Sequence, residues 1–314
     1  MLYQGVVIKS TGSWYEVLLQ SGAIVQARLR GKIRMQGIKT TNPVVVGDNV
    51  TLDIDEKDKS ANICSISDRK NYIIRKSIRL SKISHIIAAN IDKAFLVVTI
   101  ASPRTSSGFI DRFITAAEAY RVPVEIVFNK IDLYDKKSNA ILAEMEKRYS
   151  SLGYPCFKTS ITENIGLELV KDSMTNCTSL IAGHSGVGKS ALINKIEKGL
   201  ELKIGEISDV HLKGKHTTTF AQMHQLSFGG FIIDSPGIKE FGLIDYDKHE
   251  IGHYFVEFRE RMNQCRFNNC THNHEPGCAI KVAVDKGEIS EERYKNYIAI
   301  LNDDDQSIES WELE

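Results

Sequence analysis

The stretch that decides the fold is Gly183-His184-Ser185-Gly186-Val187-Gly188-Lys189-Ser190, which fits the phosphate-loop pattern G-x4-G-K-S/T without departure. It follows the apolar segment SLIA (179–182) and opens the segment KSALINKI (189–196), whose apolar spacing predicts a helix. Glycines at such a turn let backbone N–H groups converge on phosphate oxygens, and the helix N-terminus adds a favourable dipole. We therefore expect a nucleotide site in which Lys189 reaches the β- and γ-phosphates and Ser190 binds Mg²⁺.

Two motifs further along the chain predict the rest of the magnesium and γ-phosphate site. Asp234-Ser235-Pro236-Gly237 ends the apolar run FIID, where a carboxylate can hold the metal through water and the Gly237 N–H can contact the γ-phosphate. Before it lies Gly214-Lys215-His216-Thr217-Thr218-Thr219, in which one threonine can complete the Mg²⁺ shell. The pattern does not choose among the three threonines. We expect Ser190, Asp234 and one of the threonines, assigned here to Thr218, to bind magnesium, and Lys189, Thr217, Thr218 and Gly237 to belong to the catalytic group.

Guanine recognition is predicted by Asn129-Lys130-Ile131-Asp132, which follows the continuous apolar strand pattern VEIVF (124–128). At the carboxyl end of a strand, the Asp132 carboxylate can accept hydrogen bonds from guanine N1–H and from the exocyclic amine, neither of which adenine offers. Asn129 would brace the loop and the stem of Lys130 would cover the base. Thr159-Ser160, after the next strand, would supply a second and weaker base contact. The nucleotide is therefore predicted to be GTP.

The order of these motifs is unusual. In ordinary GTPases the phosphate loop comes first and N-K-x-D last, whereas here N-K-x-D comes first and D-x-x-G last. Sites in open α/β sheets form at the carboxyl ends of strands, so joining the old termini and opening the chain elsewhere preserves them. We therefore expect a circularly permuted, doubly wound α/β domain from about residue 69. The predicted helices are 109–120, 137–152, 165–174 and 189–196, and the predicted strands are 94–100, 124–128, 156–159, 179–182 and 231–233.

The N-terminal segment, residues 1–68, is predicted to form a small β-barrel. Its short strand patterns at 4–9, 14–19, 24–29, 44–46 and 50–54 are separated by turn signals. Five short strands suit an oligonucleotide-binding fold, and an SH3-like barrel is the alternative. Residues 26–40 carry five basic residues and no acidic one, which suits a polyanionic partner, although solvated faces would show the same pattern.

A cluster of cysteines and histidines predicts a metal site near the C-terminus. Cys265-x4-Cys270-x-His272-x5-Cys278 offers three thiolates and one imidazole, the set that favours tetrahedral, structural Zn²⁺. His274 is the rival for the imidazole ligand. The remaining cysteines, Cys64, Cys156 and Cys177, are expected to be small core residues.

Together these residues resemble one family, the circularly permuted GTPases of bacterial ribosome assembly known as ribosome small-subunit-dependent GTPase A. The resemblance covers nearly the whole chain and rests on STGSWYEV, VVVGDNV, FNKIDL, GHSGVGKSALIN, KHTTT, DSPGIKEFGL and CRFNNCTHNHEPGCAI. It implies an oligonucleotide-binding barrel (1–68), a permuted GTPase domain (69–243) and a helical zinc-binding domain (244–314). It also implies His216 as the residue that positions water, and zinc held by Cys265, Cys270, His272 and Cys278.

The resemblance further implies a task and partners. GTP hydrolysis would act in late maturation of the small ribosomal subunit, slow alone and stimulated by that subunit, with ribosomal RNA bound by the barrel and the zinc domain. Ile238 follows D-x-x-G where many GTPases place a water-orienting glutamine, which agrees with slow intrinsic hydrolysis. The alternatives are an RNA-binding factor in which GTP only sets conformation, and a signalling GTPase unrelated to ribosomes.

The sequence also predicts the cellular setting. The N-terminus MLYQGVVIKS lacks the charged and apolar segments of a signal peptide, and no apolar run reaches the ~18 residues of a membrane span. We therefore expect a cytoplasmic protein with no membrane contact. Nothing in the sequence demands more than a monomer.

Overall fold

The computed structural model of the chain describes residues 1–29, 43–55, 60–76, 84–200, 221–234 and 248–302. The chain forms two compact units, each built from two segments. The first unit comprises Met1–Phe95 and Leu167–Phe241, and the second comprises Leu96–Gly166 and Gly242–Glu314. The predicted GTPase domain therefore contributes to both units, and the predicted domain boundaries remain a prediction.

A closed five-stranded barrel opens the first unit. Its strands are β1 (Leu2–Ser10), β2 (Tyr15–Leu19), β3 (Ile24–Leu29), β4 (Asn49–Asp55) and β5 (Ser60–Ile66). Alternation decides which residues face inward: in β2 the side chains of Tyr15, Val17 and Leu19 are buried and the two between them are half-buried. Hydrogen bonds connect the strands in the order β1-β2-β3-β5-β4 and back to β1, which closes the barrel.

The barrel corrects two of the sequence predictions. The predicted strand at 44–46 is wrong, because this apolar segment is a buried turn in which the Asp48 carboxylate accepts a hydrogen bond from the Val45 N–H at 2.8 Å. The fifth strand is β5 instead. There Cys64 is exposed, not buried, since the pairing of β5 with β4 shifts register beside it and leaves it without an opposite residue. Cys156 and Cys177 are half-buried, so neither is a core residue either.

The remainder of the first unit carries the phosphate-loop part of the α/β sheet. β11 (Thr178–Ala182) and β13 (Phe231–Asp234) are parallel neighbours, and β12 (Gln222–Gln225) runs antiparallel to β13 and pairs with β1 of the barrel. One sheet thus continues from β11 into the barrel. The other elements of this unit are the hairpin of β6 (Tyr72–Lys76) and β7 (Ser84–Ala89), α3 (Leu167–Met174) and α4 (Lys189–Ile196).

The second unit combines the other part of the α/β domain with the C-terminal helices. β8 (Lys93–Val98), which the chain enters from the first unit, is followed by α1 (Ser107–Ala119), β9 (Val124–Phe128), α2 (Lys136–Ser151) and β10 (Cys156–Lys158). Every residue of β9 is buried, as expected for a strand covered on both faces. α1 begins after Ser106, whose hydroxyl accepts a hydrogen bond from the Phe109 N–H. The predicted helices and α/β strands are confirmed to within two residues at each end.

Four α-helices lie in the described C-terminal part of the second unit. They are α5 (Lys248–Ile251), α6 (Val256–Arg259), α7 (Ala279–Asp285) and α8 (Glu291–Leu301). Their core contains Phe255, Phe258 and Tyr297, with ring centroids 4.9 to 5.2 Å apart, together with the buried Cys270 and Cys278. Among the described residues, no helix is both long and apolar enough to cross a membrane.

Candidate nucleotide and metal sites

The phosphate loop connects the end of β11 directly to the first residue of α4. Gly186 and Gly188 have φ values of 81° and 94°, a left-handed conformation that other residues rarely adopt, and Val187 between them is fully buried. The Lys189 ammonium donates hydrogen bonds to the carbonyls of Gly183 at 2.8 Å and His184 at 2.6 Å. The cation is therefore held against the loop whose N–H groups would receive phosphate oxygens.

The strand that ends in Asp234 lies beside the strand that leads into the phosphate loop. The parallel register pairs Leu180 with Ile233, so β11 and β13 end at the same edge of the sheet. That placement suits the predicted magnesium role of Asp234. His216, Thr217, Thr218, Gly237 and the side chain of Asp234 lie outside the described residues, and their roles stay predictions.

The predicted guanine loop follows β9, and the second base contact follows β10, its parallel neighbour. Because Phe128 pairs with Lys158, the next residues, Asn129 and Thr159, emerge side by side. The Thr159 hydroxyl donates to Asn129 Oδ1 at 2.9 Å, and both residues are fully buried. Asn129 thus ties the two loops together.

Tyr134 is a second support of this loop that sequence reasoning missed. Its hydroxyl donates to the Asn129 carbonyl at 2.7 Å and accepts a hydrogen bond from the Ile100 N–H at 2.8 Å. Burial raises the pKa of Tyr134 to about 12, so the phenol stays protonated and keeps its role as donor. The signal available in the sequence was an aromatic residue shortly after N-K-x-D.

The two charged residues of the guanine loop are held by residues from other loops. Lys130 has φ 61° and its ammonium donates to the Ser102 carbonyl at 2.7 Å. Asp132 is exposed, and its Oδ2 accepts a hydrogen bond from the Thr162 hydroxyl at 2.9 Å. Hydrogen bonds from the hydroxyls of Ser160 and Thr162 hold the pKa of the Asp132 carboxyl below its ordinary value. The carboxylate is therefore ionised and available as an acceptor, which is the form that guanine requires.

The four predicted zinc ligands come together in the second unit. One ligand atom from each of Cys265, Cys270, His272 and Cys278 lies within 4.8 Å of the others. His272 Nδ1 is 3.6 Å from the Cys265 sulfur and 3.5 Å from the Cys278 sulfur. Tetrahedral zinc with its usual bond lengths requires a sulfur–nitrogen separation of about 3.6 Å. The donor set and its spacing thus fit a closed Zn²⁺ site, whereas His274 is exposed and does not belong to the cluster.

The loop around His272 is braced independently of any metal. The Glu275 carboxylate accepts hydrogen bonds from the Thr271 N–H, the Thr271 hydroxyl and the Asn273 N–H. Burial opposes ionisation, but these hydrogen bonds lower the pKa of Glu275 to about 2. The Tyr294 hydroxyl donates to the His272 carbonyl at 2.7 Å, so α8 holds the backbone of this ligand.

These features define a circularly permuted GTPase that carries a barrel before it and, after it, a helical region with a Cys/His cluster whose donor set fits a metal. Residues 66–244 match the sequence profile of the family described as RsgA GTPase, and residues 4–61 match the RsgA N-terminal domain. The chain belongs to the RsgA GTPase family. The resemblance and the fold class predicted from the sequence are thereby confirmed.

Relatives and solved structures agree with this assignment. The chain is 50% identical over 303 residues to the small ribosomal subunit biogenesis GTPase RsgA 2 of Bacteroides thetaiotaomicron, covering 96% of this chain and 97% of that protein. It is also 50% identical to RsgA of Christiangramia forsetii over 97% of each. The crystal structure of YjeQ from Thermotoga maritima superimposes with a TM-score of 0.80 at 35% identity, covering 96% of this chain and 98% of that one. The crystal structure of YloQ, a circularly permuted GTPase, superimposes with a TM-score of 0.73 at 27% identity, covering 96% of this chain and 95% of that one.

Proposed function

We propose that this chain hydrolyses GTP during maturation of the small ribosomal subunit, slowly when alone and faster when bound to that subunit. The observation that carries the proposal is the 50% identity, over 96% of the chain, to a protein named for small ribosomal subunit biogenesis. The intact phosphate loop and the braced guanine loop support a working nucleotide site. The barrel and the metal-binding region are the proposed contacts with ribosomal RNA.

In this proposal each site residue has a role that follows from its chemistry. Asp132 reads guanine, Asn129 and Thr159 fix its loop, and the phosphate loop with Lys189 holds the β- and γ-phosphates. Ser190, Asp234 and a threonine, here assigned as Thr218, hold the magnesium that enters with GTP, where the ion neutralises phosphate charge. The backbone N–H of Gly237 contacts the γ-phosphate, and His216 positions the attacking water. The Cys265–Cys270–His272–Cys278 cluster holds one structural Zn²⁺, and the protein works as a cytoplasmic monomer.

Hydrolysis measured with and without purified small subunits tests the proposal, with large subunits as the control. We expect stimulation by the small subunit alone. The Lys189→Met variant should lose stimulated hydrolysis, because the phosphates lose their cation. The matched Lys195→Met variant alters an exposed lysine on the same helix and should behave like the parent. Tight GTP binding without stimulation by small subunits would contradict the proposal.

Base recognition has a separate test in the Asp132→Asn variant. An asparagine can donate to the C2 oxygen of xanthine, where guanine has an amine, so preference should pass from GTP to xanthosine triphosphate. We expect the ratio of the two affinities to change by about 100-fold or more, since mismatched hydrogen bonding is strongly rejected. Equilibrium binding of both nucleotides measures it. Asp135→Asn is the control, because that residue caps α2 and asparagine also caps; an unchanged ratio in Asp132→Asn would refute the base assignment.

A further inference from the structure

An exposed tryptophan on the barrel carries an arginine stacked on its ring. Trp14 lies in the turn between β1 and β2 and keeps 41% of its surface exposed. The guanidinium carbon of Arg28 lies 3.8 Å from the centroid of the indole. A single exposed apolar residue is ordinary, but an indole with a flat guanidinium over its ring offers two adjacent π surfaces and a positive charge.

The barrel holds the backbone that carries both side chains. β2 and β3 are antiparallel with Tyr15 opposite Ala27, so the next residues, Trp14 and Arg28, stand opposite one another. Tyr15 and Ala27 are both buried in the barrel core, which anchors the backbone beneath the pair. The turn is closed from the other side by Thr11, whose N–H and hydroxyl both donate to the Trp14 carbonyl, at 2.9 and 3.1 Å. The pair is therefore presented on a preformed platform, which lowers the entropy cost of binding.

The charge of the sequence around Arg28 favours a nucleic acid over an apolar protein partner. Residues 26–40, which include Arg28, carry five basic residues and no acidic one. An unpaired base offers a π face to the indole while its phosphate is attracted by the Arg28 cation, a combination common in single-stranded nucleic-acid binding by barrels of this kind. We propose that Trp14 and Arg28 form a stacking platform for one unpaired nucleobase of the RNA that the barrel binds. This inference rests on the proposed function in that it names the contact with RNA.

Fluorescence of Trp14 tests the stacking directly. The chain has two tryptophans, so a Trp311→Phe background leaves Trp14 as the only indole emitter. An oligoadenylate of about ten nucleotides, within the site size of such a barrel, should quench its emission by base stacking. A duplex RNA of the same length, whose bases are already stacked, should leave the emission largely unchanged. Equal quenching by the duplex would overturn the proposal, because it would indicate contact with the backbone alone.

Binding to small ribosomal subunits tests the contribution to affinity. Trp14→Ala should weaken binding by about 5- to 150-fold, the range of one base–aromatic stacking contact. Trp14→Phe should restore most of it, and Arg28→Lys should fall between the parent and Trp14→Ala, because an ammonium does not stack as a guanidinium does. The control is Ile24→Ala, an exposed apolar residue on β3 whose loss should leave the affinity unchanged.

The outcomes separate this proposal from the proposed function. If small subunits stimulate hydrolysis and Trp14→Ala binds them as the parent does, the stacking proposal fails and the proposed function stands. If Trp14 is protected in the subunit complex but no RNA oligonucleotide quenches it, the contact is with protein and the proposal fails. If oligoadenylate quenches Trp14 but no ribosomal subunit stimulates hydrolysis, the platform stands and the proposed function fails.

Discussion

At the scale of single residues, a hydroxyl outside every motif holds the Asp132 carboxylate, which we propose reads guanine. Thr162 donates to Asp132 Oδ2 at 2.9 Å, and its oxygen lies 3.0 Å from that of Ser160, so the carboxylate is oriented before nucleotide binds. Thr162→Val should weaken GDP binding by about fivefold, the worth of one net hydrogen bond, and Thr162→Ser should restore it. Titration calorimetry measures both. Thr175→Val is the control, since that hydroxyl donates to the Lys171 carbonyl at the end of α3.

The pH dependence of GDP binding distinguishes positioning from mere support of the fold. The hydroxyls lower the pKa of Asp132, so the ionised acceptor persists below the ordinary aspartate range and is lost only as pH falls through the lowered pKa. In Thr162→Val the acidic loss of affinity should therefore begin at higher pH than in the parent. If the GDP affinity of both proteins fell at the same acidic pH, Thr162 would not act through the carboxylate.

At the scale of elements, the C-terminal helix α8 is fastened to α1 and α6 by a buried charge network. Arg293 on α8 is 1% exposed and donates to Asp111 Oδ1 at 2.7 Å and to both oxygens of Glu257 at 2.8 and 2.9 Å. The Tyr149 hydroxyl donates to the same Asp111 oxygen at 2.9 Å. Burial alone would lower the pKa of Arg293, but the charges of Asp111 and Glu257 raise it well above its ordinary value. Each charge therefore depends on the others.

Removing the shared cation should destabilise the protein strongly. Arg293→Met leaves the Asp111 and Glu257 carboxylates without their shared cation, which we expect to lower the free energy of unfolding by about 3–5 kcal/mol. Urea denaturation followed by circular dichroism measures the change. Lys295→Met on the same helix removes an exposed ion pair with Glu291 and should cost less than about 1 kcal/mol. A similar loss in both variants would show that the network is no more important than a surface pair.

These elements also show what the sequence could and could not predict. The α/β strands and helices were predictable because their apolar periodicity is local, and the Cys/His cluster was predictable because its residues lie close together in the chain. β12 was missed because its sequence QMHQ has no apolar pattern, and β5 was missed because a register shift interrupts its alternation. The partners of Arg293 lie 36 and 182 residues away, so no local pattern could indicate its burial.

At the scale of the whole molecule, the N-K-x-D loop and the Cys/His cluster lie in the same compact unit. N-K-x-D lies in Leu96–Gly166, and the cysteine cluster lies in Gly242–Glu314. α8 serves both parts: Tyr294 donates to the His272 carbonyl, while Asn296 donates to Asp111 on α1. Loss of the proposed zinc should thus weaken an element that also packs against the α/β part of this unit.

Metal removal should therefore lower both the stability and the nucleotide affinity of the protein. We expect the parent to bind one zinc per chain and Cys270→Ser to bind none and to unfold with a free energy lower by about 3 kcal/mol or more, because metal binding to a structural site is coupled to folding. GDP affinity should fall in parallel, since nucleotide binds only the folded unit. Elemental analysis, urea denaturation and titration calorimetry measure the three quantities.

The control is Cys156→Ser, which alters a half-buried thiol on β10 outside the cluster and should leave the zinc content of the protein unchanged. A Cys270→Ser protein that loses zinc but keeps its unfolding midpoint and GDP affinity would show that α8 does not couple the two sites.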